Sequence, residues 1–243
     1  MAALCNGARR AFISNAGKIG FMAAGGSMAI SAASDLIGPA HAKETSPNCM
    51  PADAISPSEH LMREHGMLNR ILLIYEAGLR KFDANEDFDP SPIANAARIV
   101  REYSENYHER LEEEVVFPRF KQAGKMVALV DILTDQHRRG RGLTDIVLET
   151  ALTGRKNDND RRRLVDALRA FIIIYRPHTA REDTVLLPML KTLFAPGEYE
   201  GMAEKIEKSD RRYFVGGSFD GMVQRVASFE TAMGINDLRQ FTR

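Results

Sequence analysis

The chain has 243 residues, of which 44% are hydrophobic and 27% charged, with equal numbers of acidic and basic side chains. This composition is globular, and the charge balance gives no argument for nucleic-acid or membrane-surface binding. The two cysteines are Cys5 and Cys49. Because Cys5 lies in a segment that we expect to be removed, we predict no intramolecular disulfide in the mature chain.

The N-terminal segment, residues 1–42, has the features of an export signal. Arg9 and Arg10 precede a weakly apolar run rich in Gly, Ala and Ser, and an A-x-A cleavage pattern ends at Ala42. The paired arginines resemble a twin-arginine signal. The alternative is an uncleaved anchor, but Asp35 and the glycines make a poor membrane span. We therefore predict a periplasmic or otherwise exported protein that is cleaved after Ala42 and has no membrane contact afterwards.

Apolar periodicity in the rest of the chain predicts helices only. After a polar lead-in, residues 43–57, helices are predicted at about 58–82, 91–123, 125–152, 157–193, 198–209 and 218–233. Ser91 and Pro92 suggest the N-cap and first position of the second helix. We predict an all-α fold: an up-down-up-down four-helix bundle, residues 58–194, with a C-terminal helical extension, residues 195–243. The extension is open to two interpretations, packing against the bundle or forming a homodimer.

Two stretches seventy positions apart repeat one pattern. His108–Pro118 reads HERLEEEVVFP, and His178–Pro188 reads HTAREDTVLLP. In each, a glutamate (Glu112 or Glu182) follows the histidine by four positions, so both side chains share one helix face. Such a pair can hold one metal ion, and two pairs on facing helices can hold two. We interpret the apolar-Pro endings as core packing and helix termination.

Loop positions predict that the histidines converge, because residues equally far from a connecting loop lie at the same height in an antiparallel bundle. Counting from loops near residues 87, 124 and 156 brings one histidine of each helix to one layer, within about 5 Å at a rise of about 1.5 Å per residue. These histidines are His65, His108, His137 and His178. His60 lies about 140° around the helix from His65, so we predict that it is exposed.

Several further polar residues surround this layer. Three acids point away from the Glu112 and Glu182 face, and we expect them to be solvated or to contact the ligands from outside; they are Glu113, Glu114 and Asp183. Four tyrosines are candidate hydrogen-bond donors around the site, and the sequence does not choose among them: Tyr75, Tyr103, Tyr107 and Tyr175.

The pattern resembles the hemerythrin-like (HHE cation-binding) family. The matching segments are REHGMLNRIL around His65, YHERLEEEVVFP around His108, DQHRRGRGL around His137 and HTAREDTVLLP around His178. The resemblance covers about residues 59–193 and implies a four-helix bundle with a non-haem di-iron centre. By position, it implies terminal ligands at His65, His108, His137 and His178, with Glu112 and Glu182 bridging the two irons.

The ligand pattern is more similar to repair-of-iron-centres proteins than to oxygen-carrying hemerythrins, which have a further histidine where this chain has Arg141. Four imidazoles and two bridging carboxylates supply about eight of the roughly twelve bonds that two octahedral ions accept. A solvent-derived bridge would add two, so about two positions stay open or hold water. Zinc or manganese would fit the same ligand types and ranks below iron. The expected partner is a small ligand, O₂, NO or H₂O₂, and no nucleic acid.

Two classes of function remain open at this point. The first is an exported protein that binds or senses O₂ or NO. The alternative is a di-iron enzyme that removes peroxide or NO or repairs damaged iron centres. A purely structural metal that staples the bundle ranks third.

Overall fold

The computed structural model describes residues 55–195, 197–213 and 219–242. The predicted signal peptide and most of the predicted lead-in lie outside these residues. Every regular element in the described ranges is helical, so the all-α prediction is confirmed. No helix within those ranges combines the length and apolar character needed to cross a membrane.

Four long helical segments, α1 to α4, form the bundle. Helix α1 is Pro57–Asp83 and α3 is Val127–Thr150. Helix α2, residues 91–122, comprises Ser91–Ile99, Val100–His108, Glu109–Leu111, Glu112–Val116 and Phe117–Gln122. Helix α4, residues 158–193, comprises Asp158–Arg181, Glu182–Leu186, Leu187–Leu190 and Lys191–Leu193. The extension contains α5 (Glu198–Tyr213), α6 (Phe219–Met233) and a short 3₁₀ turn, Leu238–Phe241.

The starts of the first two helices use different caps. The Ser56 hydroxyl accepts the Glu59 N–H at 3.2 Å, and the Glu59 carboxylate accepts the Ser56 N–H at 3.0 Å, which forms a capping box. The predicted N-cap of α2 is wrong, because Pro90 is the N-cap and Ser91 is the first residue of the helix. Asp89 takes the capping role from outside, since its carboxylate accepts the Ser91 N–H at 2.9 Å.

Three segments of the bundle helices are widened, π-helical turns: Val100–His108, and two five-residue turns that begin at Glu112 and Glu182. In each five-residue turn the N–H five residues later, of Phe117 or Leu187, donates to the glutamate carbonyl. Each five-residue turn lies directly before the proline of its repeat, whose ring crowds the carbonyl four residues earlier. Helix α2 continues through its proline to Gln122, close to the predicted helix end at residue 123, so the interpretation of the apolar-Pro ending as helix termination is wrong. Widened turns of this kind are frequent at functional sites.

The bundle helices pack as a closed ring, with α1 and α3 each contacting both α2 and α4. Helix α6 packs on α1 and α2, and α5 packs on α1. Arg70 of α1 donates two hydrogen bonds to Glu230 of α6, at 2.8 and 2.5 Å. Arg63 lies over the Phe219 ring, 4.5 Å from its centroid. The extension therefore packs against the bundle, while a homodimer stays a prediction.

Two apolar clusters fill the bundle interior. The large cluster contains Ile71 of α1 and Leu168 of α4, together with residues of α2, α3 and α6. The small cluster contains Phe120 of α2 and Leu133 of α3, together with residues of α1, α4 and α5. On every bundle helix the histidine of the predicted layer lies between residues of the two clusters. A polar layer is therefore enclosed between the two apolar clusters.

Candidate metal centre

The four histidines of the predicted layer form two pairs. His65 of α1 and His108 of α2 make the first pair, with their Nε2 atoms 3.0 Å apart. His137 of α3 and His178 of α4 make the second pair, with an Nε2–Nε2 distance of 3.1 Å. All four side chains are buried. The structure therefore brings the four predicted histidines together, with one ring nitrogen of each directed to the bundle axis.

Each repeat glutamate faces both pairs. Glu112 Oε2 lies 3.5 Å from one imidazole nitrogen of each pair, His108 Nε2 and His137 Nε2. Glu182 Oε2 lies 3.2 Å from the remaining imidazole of the first pair and 3.0 Å from that of the second. Both glutamates are completely buried. A carboxylate in this placement could contact a cation held by either pair.

The carboxylate oxygens of Glu112 and Glu182 lack hydrogen bonds of normal geometry among the described residues. Burying an unpaired carboxylate is costly unless it meets a cation. Two sets of buried ligand atoms, each within 4.8 Å of one another, could hold one: the first is Glu112, His137, His178 and Glu182, and the second is His65, His108 and Glu112. The side chains present therefore fit a metal centre.

The outward nitrogen, Nδ1, of every imidazole has a hydrogen-bond partner on a neighbouring helix, which we call its outer partner. The four contacts are His65 to Asp183 at 2.6 Å, His108 to Glu64, His137 to Glu113 at 2.9 Å and His178 to Gln136 at 2.9 Å. An imidazole that donates from Nδ1 presents the lone pair of Nε2 to the interior, which is the tautomer a metal needs.

The three additional acids differ in their contacts. Asp183 and Glu113 are outer partners, so the expectation of contact from outside applies to these two. Glu114 is solvated: its side chain is 60% exposed and accepts a hydrogen bond from Arg110. Adjacent glutamates on one helix thus have unrelated roles, because each step along a helix turns a side chain by about 100°.

Sequence reasoning missed two outer partners and misplaced one histidine. Glu64 and Gln136 directly precede His65 and His137, and this shared position was the available signal. The prediction that His60 is exposed is wrong, because its side chain is 13% exposed and its Nε2 lies 3.0 Å from Glu64 Oε1. His60 and Glu64 are one turn apart, so a buried Glu64 holds His60 on the same half-buried face.

Two of the four candidate tyrosines donate to buried carboxylates. The Tyr103 hydroxyl donates to Glu64 at 2.5 Å and therefore supports an outer partner. The Tyr175 hydroxyl donates to Glu109 at 2.6 Å. All four tyrosines pack within the large apolar cluster.

Arg141 occupies the outer side of the second pair. Its guanidinium donates to Glu113 at 2.7 Å and forms an ion pair with Glu109 at 2.9 Å. Glu113 in turn contacts His137 Nδ1. A guanidinium stays protonated, so Arg141 neutralises charge around the centre and cannot serve as a ligand.

The electrostatics of the layer favour a bound positive charge. Burial and the neighbouring Glu182 charge raise the pKa of Glu112 well above its usual value. Burial alone would lower the pKa of His65, but its hydrogen bond to Asp183 and the nearby Glu182 raise it to about 10. Burial lowers the pKa of His137 to about 4. The pKa shifts of His65 and Glu112 both favour the more positive, protonated form, as expected where buried carboxylates lack a cation.

A helical bundle with paired histidines and shared glutamates at its centre defines a class of metal-binding proteins, and the amino-acid sequence matches a family of that class. The model of the hemerythrin HHE cation binding domain matches residues 56–190 and 128–208. The chain belongs to this family. It is 43% identical over 190 residues to uncharacterized proteins of Mycobacterium bovis and of two strains of Mycobacterium tuberculosis, covering 77% of this chain and 74% of each relative. No solved structure gives a significant match.

Proposed function

We propose that the chain is an exported, non-haem di-iron protein that binds or senses O₂ or NO at an open iron position. The observation that carries the proposal is that each buried glutamate faces one imidazole of each pair. Imidazole and carboxylate ligands suit iron, with zinc or manganese ranking below it. The proposed ligands are His65, His108, Glu112, His137, His178 and Glu182.

The burial of the centre determines which ligands it can admit. Each of the six proposed ligand residues is at most 5% exposed, which leaves no room for a bulky substrate. The ligand set supplies about eight of the roughly twelve bonds that two octahedral ions accept, and Arg141 adds none. Bound iron would supply electrons to a diatomic ligand at the open position. The chain's own contribution is to exclude water and to hold each imidazole in its metal-binding tautomer.

A second candidate function is enzymatic removal of peroxide or NO, or repair of iron centres. One observation favours it: a hydrogen-bonded line runs from the Tyr103 hydroxyl through Glu64 to His108 Nδ1. A buried line of this kind can hold a proton close to the reacting ligand, and the reduction of that ligand consumes protons.

Metal analysis and ligand spectra test the proposal. Protein loaded under anaerobic, reducing conditions is expected to contain about two irons per chain; one ion, or zinc alone, would contradict the di-iron assignment. Spectra recorded on adding and removing O₂ or NO should change reversibly for a binder. Continuous consumption of NO or peroxide, counted as turnovers per iron, would instead select the enzyme.

Export is a separate part of the proposal and rests on Arg9 and Arg10, ahead of an apolar run that ends at Ala42. Twin-arginine signals serve proteins that take up a cofactor before export. Replacing both arginines by lysine is expected to leave uncleaved precursor in the cytoplasm. Unchanged export of that variant would indicate a different route.

A further inference from the structure

The outer partners follow an approximate twofold arrangement. The residue after each repeat glutamate, Glu113 or Asp183, contacts a histidine of α3 or α1. The residue before the layer histidine of α1 or α3, Glu64 or Gln136, contacts the histidine of a repeat. The two halves of the centre are therefore built on equivalent positions, and a difference between equivalent positions has a direct chemical meaning.

Glu64 and Gln136 occupy equivalent positions but differ in charge. Around the first pair both outer partners are carboxylates, Glu64 and Asp183. Around the second pair one partner is the neutral amide of Gln136, and the other, Glu113, is paired with Arg141 at 2.7 Å. The outer partners, counted together with Arg141, thus carry two negative charges at the first pair and none, net, at the second. Glu109, the other carboxylate paired with Arg141, accepts a hydrogen bond from Tyr175 and is not an outer partner of an imidazole.

Further contacts do not remove this difference. The Glu64 carboxylate also accepts from the neutral Tyr103 hydroxyl, and His60 Nε2 lies 3.0 Å from it. A carboxylate that accepts the Nδ1–H of an imidazole makes the opposite nitrogen a stronger donor to a metal than an amide does. Because Glu64 is buried, its charge is weakly screened.

We propose that the two metal positions are inequivalent: the His65/His108 position holds its ion tightly, and the His137/His178 position holds a labile ion. Glu64 and Gln136 are the positioning residues that set this order. The inference rests on the proposed two-ion function. It means that the two ions enter and leave in sequence, with the second-pair ion the last to bind and the first to be lost.

Release of ferrous iron into an excess of a coloured ferrous chelator, without oxygen, tests the order. The wild-type protein is expected to release its iron in a fast and a slow phase of equal size. Glu64→Gln should accelerate the slow phase about tenfold and leave the fast phase unchanged. Gln136→Glu should slow the fast phase about tenfold and leave the slow phase unchanged. The double variant, with equal outer charge at both pairs, should bring the two phases together.

The control is Glu114→Gln, which removes a charge from an exposed position of α2 and should leave both phases unchanged. Circular dichroism measures the helicity of each variant and therefore reports whether it folds. Gln136→Glu tests the same inference while leaving every contact of Glu64 in place. Wild-type uptake of about two ions with single-phase release, or a Glu64→Gln variant in which the fast phase responds, would overturn the inference alone. Uptake of fewer than two ions would overturn the proposed function and the inference with it.

Discussion

The apolar clusters and the polar layer between them are made by the same four helices but are held together by different physics. Leu168 and Ile71 in the large cluster are completely buried, and burial of such side chains contributes about 1.5–3 kcal/mol each. Glu112 and Glu182 are equally buried, yet their carboxylates lack hydrogen bonds of normal geometry. The comparison teaches that the clusters stabilise the bundle, whereas the layer costs free energy until a cation binds.

The largest expected effect separates a layer carboxylate from a solvated one on the same helix. Glu112→Ala is expected to reduce iron content from about two ions per chain to less than one, because it removes a contact to each histidine pair. Glu114→Ala should leave iron content unchanged, since that side chain points to solvent. Metal analysis of the two purified variants makes the measurement, and equal iron content would contradict the assignment of Glu112. Glu113 is unsuitable as the control because it contacts His137.

A substitution in the large cluster should have the opposite profile. Leu168→Ala is expected to lower the free energy of unfolding by about 2–5 kcal/mol through lost burial and a residual cavity. Iron content should stay at its wild-type value, because no metal contact changes. Leu152→Ala, at a side chain that is 54% exposed, should change stability by no more than about 0.5 kcal/mol. Denaturant unfolding and metal analysis of both variants make the measurement. Loss of iron from a folded Leu168→Ala variant would contradict the separation of stability in the cluster from metal binding in the layer.

Removal of the iron should show how much the occupied layer contributes to the free energy of unfolding. Ligands that bind only the folded state stabilise it, by about 2.7 kcal/mol at a free concentration one hundred times the dissociation constant. Iron-free protein is therefore expected to keep its helical circular dichroism and to unfold at lower denaturant concentration. Complete loss of helical structure without iron would show that the apolar clusters are insufficient on their own.

The smallest effects are expected at two glycines of α3 that differ in their surroundings. A Cβ on Gly140 would overlap the Tyr175 hydroxyl, whereas a Cβ on Gly142 meets nothing within 4 Å. Gly140→Ala should destabilise by about 1–3 kcal/mol by forcing Tyr175 away from Glu109. Gly142→Ala should stabilise by about 0.5–1 kcal/mol, because alanine has the higher helix propensity. Thermal unfolding of the two variants decides, and a stabilised Gly140→Ala would contradict the placement of Tyr175.

Much of this molecule was accessible from local patterns. Helix positions followed from apolar periodicity, and the convergence of the four histidines followed from their distances to three short loops. The spacing of His108 and Glu112, and of His178 and Glu182, placed each pair on one helix face. These inferences succeed because helical periodicity and rise are properties of the backbone, and short loops leave antiparallel packing as the solution.

The outer partners required the packed structure. Glu64 and Gln136 each reach an imidazole on a neighbouring helix, and such a contact depends on how two helices are rotated about their axes, which no spacing within one helix specifies. The same reason explains His60, whose burial follows from the inward placement of Glu64. The widened turns at Glu112 and Glu182 also required the structure, because apolar periodicity does not distinguish a π-helical turn from an α-helical one.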